Sequence, residues 1–138
     1  MEFEYDNDLD SWKSKCTVLN TTTDIQLISP DIRKNYSKCN LASIAINRIN
    51  KLSFQLEKDV EEFAKYYNDC WADPDDEMPR LSTKEFMLLV KLDGVVFDIV
   101  SDIEDTISLY YECGNLFGGG GIELTIDESE NITATTVG

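Results

Sequence analysis

The longest regular pattern of apolar positions in this sequence runs from Asn40 to Trp71. Within this segment, apolar residues recur at every third or fourth position, as they do on one face of an α-helix. They are Leu41, Ala45, Ile49, Leu52, Leu56, Val60, Phe63, Tyr67 and Trp71. An unbroken helix of this length would extend roughly 48 Å at about 1.5 Å per residue, which is longer than a small domain needs. The pattern therefore predicts either one long helix or two helices in phase, with a bend near Ser53.

The segments on either side of this helical region show the alternation of apolar and polar residues that is typical of β-strands. Two short runs within residues 12–29 predict a hairpin that turns at residues 20–24. Residues 1–10 are expected to form an edge strand or a frayed end. Four later runs, joined by short turns, predict an antiparallel meander. They are Val95–Val100, Thr106–Glu112, Gly121–Ile126 and Ile132–Val137.

A shorter helix is predicted between the long helical segment and the meander. Ser82 stands three residues before Glu85, which is the spacing of a capping box, and Phe86, Leu89 and Val90 would form the buried side. Asp93-Gly94 would end it. The sequence thus predicts an α+β fold: a long helix or helix pair and one short helix (37–91) packed on a mostly antiparallel sheet, with a C-terminal β-meander (95–137). At 138 residues, the chain fits a single domain, 1–138, with one core.

The charge of the chain is strongly unbalanced, and this narrows the choice of partner. It has 27 acidic and 12 basic residues, for a net charge of −15, and the segment from Leu92 to Gly138 has ten acids and no Lys or Arg. Phosphate backbones and anionic membranes repel such a surface, so direct binding to nucleic acid or to a membrane is not expected. We expect a negative face or rim of the sheet that favours a basic protein or a cation.

No group of residues in the sequence forms a recognisable catalytic or metal-binding motif. The chain has no histidine, so Ser-His-Asp and Cys-His catalysis are impossible. Its cysteines are spaced too widely for a zinc site or a dense disulfide framework, and we expect buried, reduced thiols. They are Cys16, Cys39, Cys70 and Cys113. We therefore expect a protein that is not an enzyme and that uses no cofactor or metal.

Two further motifs predict turns rather than ligand sites. An EF-hand loop beginning at Asp73 would need Gly in place of Met78 and Glu in place of Lys84, so residues 73–77 are interpreted as a solvated loop. The glycines of Gly118–Gly121 precede an alternating strand pattern, with no Lys nearby, and predict a turn or a bulge rather than a phosphate-binding loop.

The sequence shows no feature of a secreted or membrane-spanning protein. The N-terminal residues are acidic and include no apolar run of the kind found in signal peptides. No apolar run approaches the roughly 20 residues that a membrane helix needs. We therefore expect a cytoplasmic protein.

Two tyrosine doublets are candidates for partner contacts. Neighbouring positions of a helix or a strand point in different directions, so one member of Tyr66-Tyr67 and one of Tyr110-Tyr111 should point away from the core. We take Tyr66, and Tyr111 as the choice from the second doublet, as exposed aromatic anchors in an acidic surround, a combination typical of protein interfaces.

An ordered set of residues in the C-terminal two thirds of the chain resembles a known family. The set is Asn68-x-x-Trp71, Leu81-Ser-x-x-Glu85-Phe86, Leu92 before a strand, Phe117-x-Gly119-x-x-Ile122-x-Leu124, Ala134 and Gly138. It is similar to a family of small uncharacterised bacterial α+β domains that also occur among the immunity proteins of contact-dependent and other polymorphic toxin systems. Gly120 stands where the family pattern has a His, so no catalytic residue is carried over.

The resemblance implies an immunity protein, and the charge agrees with that function. Such a protein would bind a cognate basic toxin 1:1, with a nuclease domain expected, and would place carboxylates where the toxin holds phosphates. The expected contact residues are Asp73, Asp75, Asp76, Glu77, Asp98, Asp102, Glu104, Asp105, Tyr66 and Tyr111. The free protein is expected to be a monomer because like charges repel. The alternatives are an acidic adaptor or structural subunit, and a divalent-cation-binding domain that uses carboxylates.

Overall fold

The structure, a computed structural model, describes residues 1–137; Gly138, the last residue of the family motif, lies outside them. The described chain has three α-helices and seven β-strands. In chain order they are β1 (Glu4–Asp6), β2 (Ser11–Val18), β3 (Thr21–Ile28), α1 (Lys38–Lys51), α2 (Ser53–Cys70), α3 (Thr83–Leu89), β4 (Lys91–Ile99), β5 (Asp105–Glu112), β6 (Gly121–Asp127) and β7 (Ile132–Val137). No helix among residues 1–137 is both long and apolar enough to cross a lipid bilayer.

The strands form one sheet in the order β1-β2-β3-β4-β5-β6-β7. Every neighbouring pair is antiparallel except β3 and β4, which run parallel. Parallel neighbours need a long crossover connection, and here α1, α2 and α3 supply it. The predicted α+β fold, with its mostly antiparallel sheet and C-terminal meander, is confirmed.

The long helical segment is two helices that meet at Leu52. The N–H of Leu52 donates to the carbonyl of Ile49, 3.1 Å away, which tightens the last turn of α1. The carbonyl of Leu52 then accepts from the N–H of Leu56 at 2.9 Å, which starts α2. Of the two alternatives left open by the pattern of apolar positions, the helix pair is correct.

The core lies between the helices and one face of the sheet. The stripe residues Leu41, Ile49, Leu56 and Val60 are all buried, as the spacing predicts. They pack with the inward side chains of the strands, which include Ile25, Leu27, Val95, Phe97, Ile107, Leu109, Leu124 and Ile126. All four cysteines are free thiols, but the expectation that all are buried is wrong. Cys16 and Cys113 are buried, whereas Cys39 and Cys70, at the ends of α1 and α2, are exposed.

The short helix α3 starts with the predicted capping box. Ser82 Oγ accepts from the N–H of Glu85 at 3.1 Å, and Glu85 Oε1 accepts from the N–H of Ser82 at 2.9 Å. The buried side is smaller than predicted, because Phe86 is buried while Leu89 is exposed. Asp93-Gly94 does not end the helix; it lies inside β4, where the pairing with β5 shifts register.

The glycine run forms the predicted turn into β6. Gly118 and Gly119 have φ angles of 65° and 89°, in the left-handed region that favours glycine. Gly121 begins β6 and approaches the backbone of β5 so closely that an added Cβ would lie 2.3 Å from the carbonyl oxygen of Tyr111. The glycines therefore shape the chain, and no helix N-terminus follows them to hold a phosphate.

Candidate functional site

Asp105 lies inside the protein, between two arginines. Its carboxylate is 2.9 Å from Arg33 Nη2 and 2.7 Å from Arg48 Nη1, and the residue is only 4% exposed. Both guanidinium groups also lie 5.9 Å from the ring centroid of Phe97. Arg48 Nη2 donates to the carbonyl of Asp127 at 2.7 Å. Asp105 is therefore removed from the predicted contact set, because its carboxylate joins α1 to the sheet and does not face solvent.

The segment from Val100 to Glu104, the 100–104 turn, is held in one conformation by several hydrogen bonds. The N–H groups of Val100 and Ser101 both donate to the carbonyl of Glu104, at 3.0 and 3.1 Å. Ser101 Oγ accepts from the N–H of Glu104 at 3.0 Å. Arg33 donates to the carbonyls of Ser101 and Glu104, at 3.1 and 3.3 Å. The same arginine thus pairs with Asp105 and fixes the backbone of the turn.

The 100–104 turn presents apolar and acidic side chains together. Ile103 is 80% exposed and Val100 is 59% exposed. Asp102 and Glu104 flank Ile103 and are exposed, and Asp98 lies half-buried just before the turn. An exposed apolar side chain flanked by carboxylates has the composition of a protein interface, in which an apolar centre is surrounded by a polar rim.

The other acidic segment, residues 73–77, lies at the opposite end of β4. Glu77 lines a cleft of about 440 Å³ together with Lys91 and Glu112, which are the first residue of β4 and the last of β5. The 100–104 turn instead follows the last residue of β4. A strand of nine residues is roughly 26 Å long at about 3.3 Å per residue. The two acidic segments, which are predicted from the sequence to belong to one contact set, are therefore separate surfaces.

The 73–77 loop is ordered by its own backbone. Asp73 and Met78 exchange backbone hydrogen bonds of 2.6 and 2.9 Å, and Asp73 Oδ1 accepts from the N–H of Asp75 at 3.1 Å. Asp75, Asp76 and Glu77 are exposed. Among residues 1–137, no group of three or more His, Cys, Asp or Glu side chains is placed to hold a metal ion. The loop therefore presents exposed negative charge on a fixed backbone.

The two tyrosines of the predicted contact set have different environments. Tyr66 is 40% exposed and packs on Phe117, with ring centroids 5.8 Å apart. Tyr111 points toward the helices, and burial raises its pKa to about 12. Tyr110, which is 36% exposed, is the outward member of the doublet. Tyr111 as an exposed partner contact is thus not supported. Ile107, Leu109 and Tyr111 are alternate residues of one strand, and this alternation is the sequence signal that places Tyr111 inward.

Five residues of the family motif, Asn68, Trp71, Leu81, Phe86 and Phe117, build one packed region. The Asn68 side chain donates to the carbonyl of Leu81 at 2.7 Å and accepts from its N–H at 2.9 Å. Phe117 lies 5.9 Å from Trp71 and 6.2 Å from Phe86 between ring centroids. These contacts hold the end of α2, the start of α3 and the loop before β6 together. In this part of the motif, the residues serve packing and backbone hydrogen bonding.

The cleft beside this region lacks an activated nucleophile. Its walls are mostly apolar and include Leu88, Leu89 and Leu116, with Cys113 at one side. Burial raises the pKa of the Cys113 thiol to about 11, so the reactive thiolate is scarce at neutral pH. The chemical groups at its rim are Glu77, Lys91 and Glu112. This arrangement offers an apolar surface with charged groups at its rim.

The comparisons with known proteins identify a family but no relative of established activity. Residues 1–137 match the family model described as "Uncharacterized protein conserved in bacteria (DUF2262)". Neither the search of curated proteins nor the search of solved structures gives a match. The match confirms the uncharacterised bacterial family that the sequence motif resembles, and its description makes no reference to toxins or immunity.

Proposed function

The chain thus belongs to DUF2262, a bacterial family whose description assigns no activity, and we propose that it is a protein-binding domain that captures a basic partner through the 100–104 turn. More specifically, we propose that it is a cytoplasmic immunity protein that neutralises a cognate toxin in a 1:1 complex. A nuclease domain is the first candidate for the toxin, because its substrate-binding cleft must be positive to hold phosphates.

The observation that carries this proposal is the exposure of Ile103 on a rigid turn. Burying an aliphatic side chain of this size contributes about 1.5–3 kcal/mol of favourable free energy. Because Ile103 is mostly exposed in the free protein, this free energy can contribute to binding a partner. Arg33 already holds the turn through the carbonyls of Ser101 and Glu104. A preorganised turn loses little conformational entropy on binding, so more of the contact energy appears as affinity.

The charge of the chain supports a basic partner. A net charge of −15 attracts a positive protein from a distance, and such steering raises association rates toward about 10⁸ M⁻¹s⁻¹ at low salt. Near the contact, Asp98, Asp102 and Glu104 would lie where a nuclease holds substrate phosphates. Fast capture suits a protein that must protect a cell from a lethal enzyme.

The test is growth rescue combined with binding kinetics. The toxin is taken from the reading frame adjacent to this gene, and its growth arrest is scored with and without co-expression of this protein. We expect rescue, with an association rate that falls steeply between about 50 and 500 mM salt because the Debye length shortens. The variants Ile103→Asp and Asp102→Lys/Glu104→Lys should each lose rescue while unfolding at an unchanged urea concentration.

A charge-matched control separates local contact from overall charge. Glu62→Lys/Asp69→Lys makes the same change on the exposed side of α2, far from the turn in sequence and without a hydrogen-bonded partner among the described residues. It should slow association slightly and keep rescue. Equal loss of rescue in the control and the turn variants, or rescue by both, would remove the 100–104 turn from the interface. Salt-insensitive binding without rescue would instead favour the acidic adaptor.

A further inference from the structure

The two edges of the sheet differ in how they are protected against added strands. β1 has only three residues, and two of them are acidic. Shortness and charge are common ways in which proteins block pairing at an edge. β7 has six residues, Ile-Thr-Ala-Thr-Thr-Val, of which five are β-branched and none is charged or proline. Within residues 1–137, β7 pairs with β6 on one side and has no strand on the other.

The register of the last hairpin shows which backbone groups of β7 face outward. The N–H of Asp127 donates to the carbonyl of Asn131 at 3.0 Å, so these two residues form a hydrogen-bonded pair. Bonded and non-bonded pairs alternate along an antiparallel ladder, which makes Thr133 and Thr135 the residues that bond to β6. The N–H and C=O groups of Ile132, Ala134 and Thr136 therefore point away from β6, toward the free edge.

The hairpin that carries this edge is anchored at its turn. Asp127 Oδ1 accepts from the N–H groups of Ser129 and Asn131, each at 2.9 Å. Arg48 donates to the Asp127 carbonyl at 2.7 Å, and Lys51 Nζ lies 3.1 Å from Glu130 Oε1. The hairpin that carries β7 is thus already ordered, so a strand that pairs with β7 loses little free energy to ordering the hairpin.

We propose that β7 is a docking edge that accepts an extended segment of a protein partner, flanked by Lys or Arg, as an eighth strand. The side chains of β7 are neutral, but two acids lie near it: the exposed Glu128 in the turn before its first residue, and Glu123 on β6, which pairs with Thr135. A basic residue at the end of an incoming strand would meet the Glu128 carboxylate, and the net charge of −15 favours a basic segment as a whole. A second copy of the chain would bring another net charge of −15 and is disfavoured. This inference concerns a different surface from the 100–104 turn and does not rest on the proposed function.

The probes are synthetic peptides, and the measurement is amide hydrogen exchange of the full chain by NMR. One peptide is Lys-Lys-Thr-Val-Thr-Val-Thr-Lys-Lys, and a matched peptide has Glu in place of each Lys. In the free protein, the amides of Ile132, Ala134 and Thr136 should exchange faster than those of Thr133 and Thr135. The lysine peptide should slow the three outward amides at least tenfold, and the glutamate peptide should leave them unchanged. A lysine peptide N-methylated at alternate residues should also have no effect.

The variant Ala134→Pro removes an outward N–H and leaves the ladder to β6, because proline is tolerated on the open side of an edge strand. It should weaken binding of the lysine peptide by at least about tenfold, the equivalent of one or more hydrogen bonds. Ala134→Val keeps the N–H and should bind as the unaltered chain does. Absence of protection by the lysine peptide, or equal protection by the glutamate and methylated peptides, would overturn the proposal. A concentration-dependent dimer that Ala134→Pro abolishes would also overturn it, by making a second copy the occupant.

Discussion

Replacing Asp105 by Asn would test the role that the structure gives to the carboxylate that Arg33 and Arg48 share. The substitution keeps the size of the side chain and removes its charge. The amide can still accept from one arginine, but its NH₂ group then faces the other guanidinium. Two cations would remain in a region where the side chains of Arg33 and Arg48 are 11% and 16% exposed. They would also retain their bonds to backbone carbonyls, so they cannot simply turn toward water.

The expected loss follows from the burial of the group. Removing one partner of a buried ion pair costs about 3–5 kcal/mol, since the remaining charge is left without compensation. Arg33 and Arg48 keep some contact with solvent, so we expect the lower end, about 3 kcal/mol. With a urea dependence of about 1.5 kcal/mol per molar, the midpoint of unfolding should fall by about 2 M. Domains of this kind have about 5–15 kcal/mol of total stability, so the variant should still fold.

The assay is equilibrium urea unfolding at neutral pH, followed by circular dichroism. The control is Asp102→Asn, which removes an exposed carboxylate three residues away and should change the free energy of unfolding by less than about 0.5 kcal/mol. A double-mutant cycle with Arg48→Met should give a coupling of about 1 kcal/mol or more, because the two side chains bond directly. Equal, small effects of Asp105→Asn and Asp102→Asn would refute the assignment of Asp105 to the interior. The result also bears on tests of the interface. If Asp105 is buried between the two arginines, charge reversal at position 105 would unfold the chain, and the resulting loss of rescue would be mistaken for a loss of binding.

Three other predictions address the fold. Gly121→Ala places a Cβ 2.3 Å from the Tyr111 carbonyl oxygen, whereas nothing lies within 4 Å of a Cβ at Gly94. In urea unfolding, Gly121→Ala should therefore be less stable than Gly94→Ala by more than about 1 kcal/mol. Phe117→Ala empties the centre of the aromatic region and should cost about 3–5 kcal/mol by the same measurement, while Phe117→Leu should cost less. The capping box lowers the pKa of Glu85 from 4.5, so its contribution is present at neutral pH and is lost as the pH falls through the lowered pKa of the folded state. Glu85→Gln should therefore reduce the loss of stability between about pH 6 and pH 3, and an unchanged slope would contradict this role.

Periodicity was sufficient to locate most of the secondary structure. The buried side of α1 and α2, the capping box at Ser82 and Glu85, and the four strands of the meander follow from spacing between near neighbours. Such signals arise from contacts within one helix or one hairpin, so the spacing of residue types along the sequence is enough to predict them. The same local reasoning could have placed Tyr111 inward, since it continues the alternation of β5. The break at Leu52 was harder to find, because both helices keep the apolar stripe in phase.

The sequence by itself determined the α+β fold class, the excess of negative charge and the lack of any histidine for catalysis. Only the tertiary structure decided that Asp105 is buried, that the 73–77 loop and the 100–104 turn lie at opposite ends of β4, and that β3 pairs in parallel with β4. These facts depend on groups that are distant along the chain, such as Arg33 and Arg48 meeting at one carboxylate. A charged residue in a turn looks the same in sequence whether it faces water or two arginines, because the partners that satisfy its charge are supplied by the packing of other elements.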